Sequence, residues 1–346
     1  MKNFILINDT TTQNNWGCHS TTYHTLLFLE KSGFNRKYSL KLEDLFNQHA
    51  TLAKVNQFIL DDVELVFING EGSIYDKQEK GMNILRSIKA IKQKKPDIKV
   101  LFLNSTFDLG HKAMSSGVQE ISKDVLLFCA RENISLKNLK DIKVDNSVLQ
   151  PDFLYEELQF DNYENEEYIV IGGNSNYYRA DRRPFDAVAA YDKLVGNLLA
   201  EGYKIKLYSS DVADIKFLQL IEKKYKLEHI TCLSTDWKSA LKVLSRAKMS
   251  ISGRYHPSIM SLCGMTPSYF ISANNCKMLG TNYYVYDNED NFSDSHSFDR
   301  DVAKIIEWVK KVDANYEAEV KNIENRMKKV REVLDGSKKL ILEKTK

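Results

Sequence analysis

Short apolar runs alternate with helix-patterned segments from one end of the chain to the other, and that alternation leaves few folds open. Residues 4–7, 65–68, 100–103 and 125–130 are continuous apolar runs in the first half. Residues 168–171, 204–208, 249–252 and 268–271 read as strands in the second. Runs this short suit strands buried on both faces, as in parallel sheets covered by helices. Between them, residues 19–29, 186–199, 214–225, 238–247 and 257–263 carry helical patterns. An acidic, poorly patterned stretch over 155–167 divides the chain.

The expected architecture is α/β, with two Rossmann-like domains facing across a cleft. Residues 1–158 form the first and 168–300 the second. From 301 to 346 a helical segment packs back on the body, because Val302, Ile305, Ile306 and Val309 keep helical spacing. A length of 346 residues supports two ordinary domains.

Composition removes several function classes. The formal net charge is only +2, so a dedicated nucleic-acid binder is not expected. Residues 321–346 hold nine Lys/Arg against four Asp/Glu. Such a basic helix could touch anionic lipid, although a solvated helix face explains it more simply. Five scattered cysteines without a Cys-x-x-Cys pair fit reduced thiols rather than a disulfide framework or a zinc knuckle. No apolar run approaches the roughly 18–20 residues that span a bilayer, and the apolar core of the first residues is short for a signal peptide. The expected location is cytoplasmic, with peripheral contact at the inner face of the membrane left open. Oligomeric state is not readable.

In open parallel sheets, ligands collect at the C-terminal ends of strands, near helix N-termini. Asn14-Asn15-Trp16-Gly17-Cys18-His19 follows the first strand and could offer backbone N–H groups to an anion or to sugar hydroxyls. Asn69-Gly70-Glu71-Gly72-Ser73 follows the next run, its glycines allowing close approach and Glu71 standing at a loop tip. Arg179, Arg182 and Arg183 follow Gly172-Gly173 and could clamp phosphate or carboxylate. Ser252-Gly253-Arg254-Tyr255-His256-Pro257 is the strongest element. Arg254 supplies a fixed charge, and His256 precedes a proline suited to the first helical position. An Arg and a His at one helix start suit an anionic substrate that needs a proton delivered. Lys277, beyond the following strand, adds a second positive charge. His19 and His24 lie five apart and do not share a helical face well, and no metal site is expected.

Together these segments resemble the polysaccharide pyruvyltransferase family. The matching stretches are Asn15-Trp16-Gly17, residues 66–73, Ala130-Arg131-Glu132-Asn133-Ile134-Ser135, Pro151-Asp152, residues 252–256, residues 264–267 and Lys277. They recur in the family's order across residues 14–280. This chain departs from many relatives in carrying Cys18 after Gly17. The resemblance implies a fold similar to the glycosyltransferase B fold. It also implies transfer of pyruvate from phosphoenolpyruvate, as co-substrate, onto a sugar diol as a cyclic ketal, with no further cofactor. On that reading His256 and Glu71 are catalytic. Arg254, Lys277, Arg179, Arg183 and Ser252 bind the donor, and Asn15, Gly17, Asn69 and Gly70 bind a sugar acceptor, lipid-linked or nucleotide-linked.

The competing reading is a glycosyltransferase using a nucleotide sugar on the same scaffold. Many such enzymes hold the nucleotide ribose with a Glu in the second domain. No Glu occurs between Glu228 and Glu289, which tilts the expectation toward phosphoenolpyruvate. A catalytically dead scaffold subunit is disfavoured by Arg254 and His256.

Overall fold

The computed structural model describes residues 2–160, 165–177 and 186–346. Contacts divide the chain into two units. Unit 1 comprises residues 1–13, 18–153 and 332–346; unit 2 comprises residues 14–17 and 154–331.

Unit 1 is built on a six-stranded sheet: β1 (Lys2–Asp9), β2 (Phe34–Lys41), β3 (Val63–Tyr75), β4 (Lys99–Asp108), β5 (Leu127–Ala130) and β6 (Ser147–Leu149). Their spatial order is β2-β1-β3-β4-β5-β6, and every neighbouring pair is parallel. Helices α1 (Trp16–Lys31), α2 (Gln48–Asn56), α3 (Glu79–Lys94), α4 (Lys112–Ile121) and α5 (Asn133–Asp141) supply the crossovers. The residues read as apolar runs are the floor of the core: Ile5, Ile7, Val66, Ile68, Val100, Phe102 and Phe128 are all fully buried.

Unit 2 repeats the plan with β7 (Glu166–Asn174), β8 (Lys204–Ser209), β9 (Glu228–Thr231), β10 (Ala247–Gly253), β11 (Ser268–Ile271) and β12 (Phe292–Ser293). The order is β12-β11-β10-β7-β8-β9, again parallel throughout. Its helices are α6 (Ala187–Ala200), α7 (Val212–Tyr225), α8 (Trp237–Ser245), α9 (Tyr255–Leu262), α10 (Lys277–Val285), α11 (Phe298–Ala314) and the first part of α12 (Tyr316–Thr345), whose residues from 332 on belong to unit 1.

Each sheet reverses its winding once, and the reversal fixes where a ligand crevice can open. In unit 1 the chain leaves β1 for β2 on one side and continues from β3 on the other, so the switch lies between β1 and β3. In unit 2 it lies between β7 and β10. The four segments leaving these strands are residues 10–15, 76–78, 175–177 and 254, with Asn174 the last residue of β7 and Glu71 four residues before the end of β3.

Two local readings differ from the sequence expectation. Helix α9 starts at Tyr255 with Arg254 as its N-cap, which makes Pro257 the third helical residue rather than the first. Proline is tolerated there because the first four N–H groups of a helix have no intrahelical partner anyway. Glu71, expected at a loop tip, instead lies inside β3 and is only 5% exposed. The strand runs on past the apolar run and resumes pairing at Ile74, with Glu71 in the left-handed conformation (φ 46°) beside an irregularity in the β3–β4 register. Asn8 (φ 64°), near the end of β1, and Asn104 (φ 48°), within β4, also take the left-handed conformation beside register shifts. Such kinks re-aim side chains at a strand end, at an energetic cost of order 1–3 kcal/mol each.

Candidate functional site

In unit 1, three central strands each turn from apolar residues to asparagine at the same level: Asn8, Asn69 and Asn104, all fully buried. The amides tie the strand ends together. Asn8 Nδ2 donates to the Asn69 carbonyl, and Asn104 Nδ2 donates to Asn69 Oδ1 at 3.3 Å and to Thr25 Oγ1 at 2.7 Å. Asn104 Oδ1 accepts from Gln150 Nε2 (3.1 Å) and from the Phe153 amide (3.0 Å). An amide supplies both a donor and an acceptor, which is what a buried junction of parallel strands requires.

The donors of this network lead to Glu71. Asn69 Nδ2 lies 2.9 Å from Thr22 Oγ1, Thr22 Oγ1 lies 2.6 Å from Thr10 Oγ1, and Thr10 Oγ1 lies 2.7 Å from Glu71 Oε1. Asn69 Nδ2 also donates to Glu71 Oε1 at 3.1 Å. The second oxygen, Oε2, lies 3.4 Å from the half-buried Cys18 Sγ. One oxygen is thus held from inside the protein, while among the described residues the other meets only a weak thiol donor. This arrangement orients a carboxylate so that it can accept a proton or a hydroxyl.

Gly70 is not an open approach for a ligand. A Cβ there would fall 2.0 Å from Ser105 Oγ, so the missing side chain is filled by the neighbouring strand. Arg131, Glu132 and Asp152 form a buried group beneath the strand ends. Arg131 is 1% exposed, with Nη1 3.2 Å from Asp152 Oδ2 and Nε 2.8 Å from Thr106 Oγ1. Thr21 donates to Asp152 and Ser135 to Glu132. Charges buried this deeply need such partners, so these residues brace the sheet.

In unit 2, the segment leaving β10 sets the second group. The Arg254 amide donates to Ser252 Oγ at 2.9 Å, and its carbonyl accepts from the Ser258 amide at 3.1 Å and from Ser258 Oγ at 2.9 Å. Its guanidinium grips Asp214 with two bonds, Nε to Oδ2 at 2.8 Å and Nη2 to Oδ1 at 2.7 Å. Nη1 lies 3.9 Å from Asp211 Oδ2. Asp214 is fully buried, which pushes its carboxyl above the ordinary value, and the Arg254 charge opposes that push. The fixed positive charge expected at this position is therefore present but largely balanced by Asp214.

Asn15 and the first turn of α1 pack on this same group: the segment expected to be a loop through His19 is helical from Trp16 onward. Asn15 Nδ2 donates to Asp211 Oδ2 at 2.7 Å, the Trp16 amide to the Ser210 carbonyl at 3.2 Å, and Trp16 Nε1 to the Thr235 carbonyl at 2.7 Å. A Cβ on Gly17 would fall 2.1 Å from His256 Nδ1, so only glycine lets the first turn of α1 approach the histidine. His256 itself is 9% exposed, the second residue of α9.

The structure therefore brings Asn15, Gly17, Ser252, Arg254 and His256 together, and gathers Glu71, Asn69 and Gly70 in unit 1. Lys277 opens α10 after β11, the strand beside β10, with Nζ 2.8 Å from Asn274 Oδ1. Arg179, Arg182 and Arg183 lie outside the described residues. Asp211 and Asp214 were not anticipated. Their signal was present, since Asp211 caps α7 after a strand end, accepting from the Ala213 amide at 2.9 Å, but a capping Asp looks the same whether or not it also anchors an arginine. Among the described residues, no group of three or more His, Cys, Asp or Glu side chains is placed to hold a metal ion.

Two parallel six-stranded sheets with interleaved helices place the chain in the glycosyltransferase B class of folds. Methanocaldococcus jannaschii UDP-GlcNAc 2-epimerase, solved with UDP-GlcNAc and UDP, superimposes with a TM-score of 0.57 at 10% identity, covering 90% of this chain and 92% of that one. S. aureus MnaA with UDP gives 0.61 at 11% identity, over 94% and 91%. S. aureus TarM, solved with fondaparinux, α-GlcNAc-glycerol and UDP, gives 0.52 at 13% identity, over 85% and 58%. At these identities the likeness is one of fold. The family is given by sequence: the model for polysaccharide pyruvyl transferase matches residues 15–275. The chain belongs to that family and is a transferase. No curated protein matches it significantly in sequence.

Proposed function

We propose that this enzyme transfers a pyruvyl group from phosphoenolpyruvate to two hydroxyls of a surface-polysaccharide sugar or its lipid- or nucleotide-linked precursor. The observation that carries the reading is His256 at the start of α9, beside Arg254 and within the family match. A histidine can both donate and accept protons near neutral pH, and the chemistry needs one donated to carbon.

His256 protonates the methylene carbon of phosphoenolpyruvate, turning it into the methyl group of the product. The first acceptor hydroxyl adds to C2 as Glu71 takes its proton. Inorganic phosphate leaves, the second hydroxyl adds to the same carbon, and its proton departs with the phosphate. Arg254, Lys277 and the N-terminal N–H groups of α9 offset the donor's negative charge. Because Asp214 balances Arg254, further cations are needed, and Arg179 and Arg183 are the candidates in the chain. Ser252 holds the Arg254 backbone, Asn15 and Gly17 shape the acceptor side, Asn69 orients Glu71 toward the acceptor, and Gly70 acts only indirectly, by letting Ser105 pack behind that carboxylate. Peripheral docking through the basic tail would bring the enzyme to a lipid-linked acceptor.

The test is thermal stability of the full chain with phosphoenolpyruvate or with a panel of nucleotide sugars. A ligand at 100 times its Kd stabilises by about 2.7 kcal/mol. Phosphoenolpyruvate is expected to raise the Tm; a rise with a nucleotide sugar alone would overturn the proposal.

A further inference from the structure

A second polar cleft lies in unit 2, away from the strand-end residues. It encloses about 250 Å3, and Asn288, Asn291, Asn315 and Asn322 line it with Tyr286 and Trp308. The Tyr286 hydroxyl accepts from the amide of Ser268, the first residue of β11, at 3.3 Å. Asn291 immediately precedes β12. Both mark the N-terminal edge of the sheet, whereas Arg254, His256 and Lys277 follow C-terminal strand ends.

Tyr286 is held by Asn291 and Glu319, but several other polar groups of this cleft are unspent within the protein. Among the described residues, the Asn322 side chain makes no hydrogen bond and Lys311, also in the lining, makes no ion pair. Asn288 uses its Oδ1 on the Asp290 amide (2.9 Å) and keeps its N–H groups, while Asn315 donates to the Lys311 carbonyl (3.0 Å) and keeps its oxygen. Trp308 is 6% exposed, packs edge-on against Tyr269 at 5.4 Å, and its buried Nε1 has no partner among the described residues. Burial, and then the neighbouring Glu319 carboxylate, push the Tyr286 hydroxyl well above its ordinary pKa, so it stays neutral.

These features select a ligand class. Amides offer paired donors and acceptors that match vicinal hydroxyls. An anion is disfavoured, because Asp290 and Glu319 outweigh Lys311 in the lining. A nucleotide needs more room, since drug-sized ligands occupy pockets of roughly 300–1,000 Å3. We infer that this cleft binds one neutral sugar residue, a hexose or N-acetylhexosamine, as a secondary glycan site. It requires a saccharide partner but not phosphoenolpyruvate.

The test uses the full chain, with glucose, galactose, mannose and N-acetylglucosamine as probes. The indole N–H signals of its three tryptophans are followed by NMR, and Trp308→Phe assigns the one that reports on the cleft. At least one sugar is expected to shift the Trp308 signal. The Asn322→Ala/Lys311→Ala variant, altered only at exposed positions, is expected to bind about tenfold more weakly with an unchanged melt. No shift with any of the four sugars, or an affinity untouched in the double variant, would overturn the inference. Neither result bears on phosphoenolpyruvate, whose binding is read separately by thermal stability.

Discussion

At the scale of single residues, Glu71 is the side chain whose environment says most about its work. Its Oε1 is fixed by Thr10 and Asn69, and among the described residues its Oε2 meets only Cys18. Glu71→Gln keeps an acceptor toward Thr10 and Asn69 but removes the base. Stability is expected to change by less than about 1 kcal/mol, while turnover, followed as phosphate release, falls by about 10²–10⁴-fold. Full turnover in a folded variant would remove Glu71 from the mechanism. Much of this site was legible in the sequence, because a polar residue flanked by glycines at the end of an apolar run has few other reasons to be there. What was not legible is which partner each side chain takes. Arg254 reads as a free cation until the fold brings Asp214, forty positions earlier, within 2.7 Å. Gly70 likewise reads as room for a ligand until Ser105 is found to fill it.

At the scale of elements, the buried strands were visible and the edges were not. β1, β3 and β4 are apolar because both faces are covered. β2 is FNRKYSLK, an edge strand with Asn35, Arg36 and Lys37 exposed, and an edge has no need of an apolar run. β6, β9 and β12 escaped for the same reason and because they are only two to four residues long. What pins β2 to β1 is partly ionic. Asp9, at the end of β1, accepts from the Thr11 amide (3.1 Å) and hydroxyl (2.7 Å) and pairs with Arg36 of β2 at 3.0 Å. Burial raises its carboxyl, but Thr11, Ser39 and Arg36 together outweigh that and hold it below 3.8. A depressed carboxyl contributes stability above its unfolded pKa and loses it as pH falls through the folded value. Asp9→Asn is therefore expected to cost about 1.5–3 kcal/mol at pH 7. The gap between the two melting curves should close as the pH is lowered past the ordinary carboxylate range and through the depressed Asp9 titration. A gap that stays constant across that range would show that packing, not charge, is what Asp9 provides.

At the scale of the whole molecule, the last helix decides how the chain end is used. Residues 316–331 of α12 belong to unit 2 and residues 332–346 to unit 1. The basic residues of this segment first read as a solvated or lipid-facing tail, yet its other face is core. Leu334 and Ile341 are fully buried, Ser337 and Thr345 nearly so. Lys2 Nζ, from the first strand, donates to the carbonyls of Thr345 (2.8 Å) and Lys346 (2.7 Å), satisfying acceptors that a helix C-terminus leaves open. Deleting residues 332–346 exposes the surface under two aliphatic side chains, each worth about 1.5–3 kcal/mol when fully buried. For a unit of this size, 1 kcal/mol shifts Tm by about 2–4 °C, so the unit 1 transition should fall by roughly 6–24 °C. Hydrogen exchange resolves the effect by unit: amides of β1 and β2 should lose protection, while those of β7 and β10 keep theirs. If residues 332–346 were only a basic arm for a membrane, the deletion would leave both the melt and the exchange pattern as they are in the full chain.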